Sequence, residues 1–229
     1  TIMINEVYQT VLAIANKEQR GYITPQEFNL FANQAQNSIF EQYFYDLDVA
    51  KRIPLNNDYN SKVNLIEDKI YPFKFSANVS DGDALDSLQA FYKLVKVVDT
   101  GGNGKEVEEV DTFNVEKTQS GPLTRANSDR PIYFVESGQV NFIPEMPDGE
   151  YKAYYIARPN RVNWTYVIVN NKPLYNGFAI DHSDFSLVES EKPKLITKIL
   201  QLAGILLKDN PLLQAATAEE VKNIQLEKQ

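Results

Sequence analysis

The chain contains a single histidine, and its neighbours are the first place to look for catalysis. His182 stands beside Asp181 and close to Asp184 in a polar stretch. An imidazole oriented by a carboxylate can act as a general base. The sequence has no Gly-x-Ser-x-Gly motif to supply a nucleophile, and no second His or Cys to complete a zinc site. We therefore predict an exposed, non-catalytic His182 and no catalytic residue in the chain.

One acidic stretch has the outline of a calcium-binding loop. Residues 99–109 read DTGGNGKEVEE, but the third position is Gly101 and the twelfth would be Val110, where a bidentate glutamate is needed. The glycine-rich run instead predicts a hairpin turn between strands at 91–100 and 105–110.

Two pairs of aspartates are also spaced like paired carboxylates. Asp46 and Asp48 fall late in a predicted helix, and Asp81 and Asp83 fall in a predicted turn. Solvated surface is the expected role of both pairs, because neither is joined by further ligand residues. We predict no metal site and no cofactor.

Several aromatic residues lie close together in the second half of the chain. They are Tyr151, Tyr154, Tyr155, Trp164 and Tyr166. Such rings can form a platform for a sugar or a nucleobase. In a strand region, alternating aromatic residues more commonly form core and interface, so the pattern favours a protein that binds other proteins.

The elements that carry these residues begin with two helices. Residues 3–18 keep a one-sided apolar spacing near 3.6. Thr24 then fits a helix N-cap, Pro25 the first helical position, and Glu27 the capping box, so a second helix is predicted from there to about Lys51.

The apolar stripe of the second helix is wider than one face. Phe40 and Phe44 broaden it, which predicts that the helix packs within its own bundle and also against a neighbouring copy. These two residues are the candidate subunit interface.

From Pro72 the pattern changes to short runs of β-branched and aromatic residues separated by turn residues, which predicts antiparallel strands. After Phe185 the helical period returns, with Ser190 as the expected N-cap. The fold class is therefore α+β: N-terminal and C-terminal helices form a helical bundle around a central antiparallel β-rich domain. The predicted domains are 1–71, 72–184 and 185–229.

Composition limits the classes of function. The formal net charge of −8 argues against general nucleic-acid affinity, and all of the acidic excess lies in residues 1–150. There is no cysteine, which excludes disulfides and thiolate chemistry. No apolar run is long enough to span a membrane.

Three segments together resemble the head-to-tail connector, or adaptor ring, proteins of short-tailed bacteriophages, especially those of marine and crAss-like gut phages. They are GYITPQEFNLFANQAQNSIFEQYFYDL (21–47), RPIYFVESGQVNFIP (130–144) followed by YYIARPNRVNWTYV (154–167), and FSLVESEKPKLITKILQLAGILLKDNPLLQAA (185–216).

The resemblance implies a structural virion protein that is assembled in the host cytoplasm. Such proteins form a ring, typically a dodecamer, that joins the portal to the next tail or ring protein and continues the DNA channel without specific DNA binding. The C-terminal segment commonly docks on the portal. The corresponding residues here are Leu212, Leu213, Val221, Ile224 and Leu226, in a predicted helix at 211–229 that is poor in core residues. The alternative is a non-catalytic carbohydrate-binding or tail-surface β-module.

Overall fold

The chain folds into two compact units that differ in secondary structure. A computed structural model describes residues 3–17, 23–52, 57–101, 104–145 and 151–204. One unit comprises Thr1–Pro72 together with Pro159–Gln229, and the other comprises Phe73–Arg158. The first unit holds most of the helices and the second holds a seven-stranded sheet, so the fold is mixed α+β.

The division between the units differs from the predicted one at its second boundary. The first boundary lies after Pro72, one residue from the expected position. The second lies after Arg158 instead of after residue 184, so residues 159–184 group with the helices. Their composition resembles that of the strands, but their hydrogen bonds reach the long helix of the first unit.

The first unit begins with two helices whose apolar spacing predicts them well. Helix α1 spans Met3–Lys17 and helix α2 spans Pro25–Arg52. The buried side chains of α1 include Ile4, Val7, Tyr8, Val11 and Ala15, and those of α2 include Phe28, Ala32, Ala35, Ile39 and Tyr43. Each set follows one stripe of a 3.6-residue helix.

The start of α2 is the capping box that the sequence indicates. Thr24 N donates to Glu27 Oε2 at 2.9 Å, and Glu27 N donates to Thr24 Oγ1 at 3.3 Å. These reciprocal bonds satisfy backbone groups that a helix start otherwise leaves without partners. Pro25 occupies the first helical position, where its missing N–H costs nothing.

Two further helices belong to this unit. Helix α3 spans Asn57–Ile70, and helix α5 spans Lys192–Leu202. A 3₁₀ turn at Glu189–Glu191 precedes α5, so Ser190 lies in that turn and is not the N-cap. Helix α2 packs against α3 and α5, and α1 packs against α5.

The second unit is built on one sheet with the strand order β1-β7-β3-β4-β5-β6-β2. Its strands are β1 Lys74–Val79, β2 Asp83–Ala84, β3 Phe91–Asp99, β4 Glu106–Glu109, β5 Ile132–Glu136, β6 Gln139–Ile143 and β7 Tyr151–Ala157. All neighbouring pairs are antiparallel except β4 with β5, which are parallel. Strands β3 and β4 pair as an antiparallel hairpin, so the predicted hairpin is confirmed.

One face of this sheet carries the core of the second unit. Phe142 and Tyr151 stack with ring centroids 3.8 Å apart, and Val97, Val107 and Ala153 are buried in the same cluster. Residues 111–127 contain a 3₁₀ turn at Thr112–Asn114 and a short helix α4 at Val115–Ser120.

A small two-stranded hairpin belongs to the first unit. Strand β8 spans Tyr166–Val169 and pairs antiparallel with β9, Lys172–Tyr175. Asn170 and Asn171 form the two-residue turn with φ values of 50° and 59°. Positive φ at both central residues marks a type I′ turn, a conformation that asparagine tolerates better than most residues.

Candidate functional site

His182 is half-buried and not exposed as predicted, because the residues around it are engaged in structural contacts. His182 Nε2 lies 3.3 Å from the hydroxyl of Tyr175. Burial, and then the negative charge of Asp184, raises the pKa of Tyr175. That phenol therefore stays protonated at neutral pH and is suited to hydrogen bonding with the imidazole.

The two aspartates near His182 bind elsewhere in the first unit. The Asp184 carboxylate accepts from Met3 N at 2.8 Å and from Ile4 N at 2.7 Å, so it caps the start of α1. Asp181 Oδ2 accepts from Asn163 Nδ2 at 3.0 Å. Both carboxylates thus bind backbone or amide groups, and neither accepts a hydrogen bond from the imidazole of His182.

The paired aspartates of the sheet unit also have structural partners. Asp81 Oδ1 accepts from Phe142 N at 2.6 Å, and Asp83 Oδ2 accepts from Ser80 N at 2.6 Å. Both bonds stabilise the turn that leads into β2. Asp46 and Asp48 lie on α2 as expected. Among the described residues, no group of three or more His, Cys, Asp or Glu side chains is arranged to hold a metal ion.

The fold separates the aromatic residues that the sequence suggests as a ligand platform. The Trp164 side chain is 1% exposed, and its ring lies 4.0 Å from that of Tyr8 and 5.9 Å from that of Tyr175. Its Nε1 donates to Asn5 Oδ1 at 3.2 Å. Trp164 is therefore a core residue of the first unit and cannot offer its face to a sugar in this conformation.

The tyrosines of the expected platform have separate positions. Tyr151 and Tyr155 are buried in the second unit, while Tyr166 stacks 5.8 Å from Trp164 in the first. Only Tyr154 among the β7 tyrosines is exposed, at 37%. The alternation along β7 thus separates core rings from one surface ring, as strand geometry requires.

A row of amides on α2 fixes the segment that follows the sheet. Asn29, Asn33 and Gln36 lie at i, i+4 and i+7, which places them on one helix face. Asn29 Nδ2 donates to Trp164 O at 3.2 Å and Gln36 Nε2 donates to Asn160 O at 2.8 Å.

The same amides also accept hydrogen bonds through their side-chain oxygens. Trp164 N donates to Asn29 Oδ1 at 2.8 Å, and Ser186 N donates to Gln36 Oε1 at 2.9 Å. The i, i+4, i+7 spacing of the three amides is visible in the sequence. Their hydrogen-bond partners lie too far along the chain to be predicted from that spacing.

Two large apolar side chains of the first unit stand fully in solvent. Phe178 and Ile180 have relative exposures of 101% and 107%. We call residues 176–182 the apolar projection. Asn176 N donates to Thr165 O at 2.9 Å, and His182 N donates to Ala179 O at 3.1 Å, so both ends of the projection are held by hydrogen bonds.

The nearby β8–β9 hairpin adds apolar surface. Val167 and Leu174 are directly paired and both are exposed, as is Val169 on the same side of the hairpin. The other side carries Tyr166 and Tyr175, which stack on Trp164. Tyr166 and Tyr175 therefore anchor one side of the hairpin in the core, although Ile168 on that side is 70% exposed, and the other side is uncovered.

The candidate subunit-interface residues occupy different environments. Phe40 is 2% exposed and packs edge-to-face with Phe44, with ring centroids 5.0 Å apart. Phe44 is half-buried. Phe40 is thus already covered by its own chain, which leaves Phe44 as the member of the pair with surface to contribute. The interface itself stays a prediction.

The candidate portal-docking residues lie outside the described residues: Leu212, Leu213, Val221, Ile224 and Leu226. None of the described helices is long and apolar enough to cross a membrane. Comparison of the chain with known protein families and with characterised proteins found no match.

Proposed function

We propose that this chain is a structural ring subunit of the head-to-tail connector of a short-tailed bacteriophage. In this proposal the helices of the first unit form a bundle, and copies of the chain assemble into a ring, typically a dodecamer. The ring joins the portal to the tail and continues the DNA channel. The protein is a virion component and has no catalytic function.

The observation that carries the proposal is the apolar projection. Burying a side chain such as Phe or Ile stabilises an assembly by about 1.5–3 kcal/mol relative to leaving it in water. Phe178 and Ile180 are instead fully exposed on a segment that is hydrogen-bonded at both ends. Contiguous exposed apolar surface marks protein-binding sites, and Phe178 and Ile180 lie two residues apart on this segment, next along the chain to the exposed apolar residues of the β8–β9 hairpin.

The use of the polar residues supports a structural role. Asp184 caps a helix, Asp81 and Asp83 stabilise a turn, and the α2 amides hold backbone groups. Side chains that suggested chemistry in the sequence therefore bind parts of their own chain. Trp164 is buried, which weakens the carbohydrate-binding alternative.

The direct test is negative-stain microscopy and native mass measurement of the purified chain, alone and with its portal protein. We expect ring-shaped particles that either form spontaneously or require the portal. A monomer that binds neither the portal nor itself, and that is retained on a glycan array, would overturn the proposal in favour of the β-module.

A further inference from the structure

The outward face of the sheet in the second unit concentrates positive charge. Register pairs Lys74 and Lys93 with Ile156, Lys96 with Tyr154, and Val98 with Lys152, so these side chains share one side of β1, β7 and β3. Four lysines thus lie on the same side of the sheet as Tyr154: Lys96 is opposite it, Lys152 is two residues before it, and Lys74 and Lys93 are opposite the buried Ile156. We call Lys74, Lys93, Lys96, Lys152 and Tyr154 the lysine face.

The lysine face contains no carboxylate on its three strands. The acidic residue of β3, Asp99, pairs with Tyr151, lies on the opposite side and is buried. None of the four lysines forms an ion pair within the part of the chain that the structure describes. Glu106, which pairs with Val98 on the next strand, marks the limit of the positive surface.

The Tyr154 ring lies close to two of these ammonium groups. Lys96 Nζ lies 5.3 Å and Lys152 Nζ 5.7 Å from the centroid of the Tyr154 ring. Both distances fall within the range of cation–π contacts. Strand β7 lies between β1 and β3, and Tyr154 is directly opposite Lys96 on β3 and Ser76 on β1. Lys96 and Lys152 are therefore the lysines that contact the ring.

This layout fits one class of ligand. Single-stranded nucleic acids bind sheets on which bases stack against exposed aromatic rings while basic side chains contact the phosphates. A duplex uses only the phosphate contacts, because its bases are already stacked. We propose that the lysine face binds single-stranded nucleic acid without sequence preference, with Tyr154 stacking on a base and the lysines binding phosphates.

The net charge of −8 does not oppose binding at this face alone. Charges farther apart than about 8 Å are largely screened at physiological ionic strength, so a ligand on the face is governed by the nearest charges. With four phosphate contacts, the logarithm of affinity should fall against the logarithm of salt concentration with a slope of about −3. The proposal does not depend on ring assembly.

The test is fluorescence anisotropy of a labelled 20-nucleotide oligo-dT with the full chain at several salt concentrations. We expect binding at low salt with the stated slope. The variant K96E/K152E should lose at least tenfold in affinity and show a flatter slope. The control K105E/K117E makes the same charge change at exposed lysines off this face, and should stay within about twofold of the parent chain.

A second variant tests the contribution of the aromatic ring of Tyr154 alone. Because stacking of one base contributes roughly tenfold or more, Y154A should weaken oligo-dT binding by that factor and leave duplex binding unchanged. Circular dichroism verifies that each variant is folded. Absence of oligo-dT binding at low salt, equal losses in the control variant, or tighter binding of a polyglutamate peptide than of oligo-dT would each overturn the proposal.

Discussion

Asn33 binds both backbone groups of Val162, a residue 129 positions away in the sequence. Its Nδ2 donates to Val162 O at 2.8 Å, and Val162 N donates to Asn33 Oδ1 at 2.8 Å. One side chain thereby replaces the pairing that a neighbouring strand would provide. The contact explains why residues 159–184 belong with the helices.

Replacing Asn33 should therefore destabilise the first unit. N33A leaves the amide and carbonyl of Val162 without their partners in a partly buried site, which costs about 1–3 kcal/mol. Urea denaturation measures this change. N37A is the matched control, because Asn37 is an exposed asparagine on the same helix and its loss should change the free energy of unfolding by less than about 0.5 kcal/mol. Equal effects of the two variants would contradict the role of Asn33.

The α2 capping box should make stability depend on pH in the acid range. Hydrogen bonds from the backbone and hydroxyl of Thr24 lower the pKa of Glu27 below 4.5. A carboxyl with a lowered folded-state pKa contributes stability above its unfolded value, and that contribution is lost as pH falls through the folded pKa.

The E27Q variant tests this dependence. Above pH 5 the variant should be less stable than the parent chain, and the difference should shrink as pH falls below 4.5. Urea midpoints measured from pH 3 to pH 7 supply the comparison. A difference that stays constant over this range would show that the ionised Glu27 carboxylate has no special role. E41Q, at an exposed glutamate on the same helix, is the control.

The apolar projection should matter for assembly and not for folding. F178D/I180D places two charges where the side chains already contact only water, so the free energy of unfolding should change by less than about 0.5 kcal/mol. Association with copies of the chain or with connector partners should be lost. F113D changes a similarly exposed apolar residue of the second unit and serves as the comparison. Unimpaired assembly of F178D/I180D, seen by microscopy, would remove the projection from the interface.

The C-terminal segment should control attachment to the portal. We expect a chain truncated after residue 210 to keep its sheet content and its cooperative unfolding but to lose portal binding in a pull-down. L212D/L213D tests the same segment at full length, and Q214A/T217A in the same segment is its control. Portal attachment that survives truncation would contradict the docking assignment without affecting ring formation itself.

Sequence reasoning predicted those parts of the fold that depend on local chemistry. The cap at Thr24 and Glu27 and the stripe of α2 involve residues within a few turns of one another, so spacing alone reveals them. Trp164 is the reverse case: its place in an aromatic run suggests a ligand platform, but Tyr8, on a helix distant in the sequence, packs against its ring.

The lysine face and the apolar projection cannot be predicted from such local spacing. The lysines of the lysine face come from three strands, and only the pairing of those strands brings them together. The exposure of Phe178 likewise depends on what packs around it. Apolar residues are predicted to be buried by default, so an uncovered phenylalanine has no signature in the sequence.

The discontinuity of the first unit determines the order in which the chain can mature during synthesis. The whole of Phe73–Arg158 leaves the ribosome before Val162 does. Asn33 must therefore wait for a partner that is made 129 residues later, while every strand of the seven-stranded sheet is already present. Since domains generally fold as units during synthesis, the sheet can fold first and the helices that begin the chain are completed last.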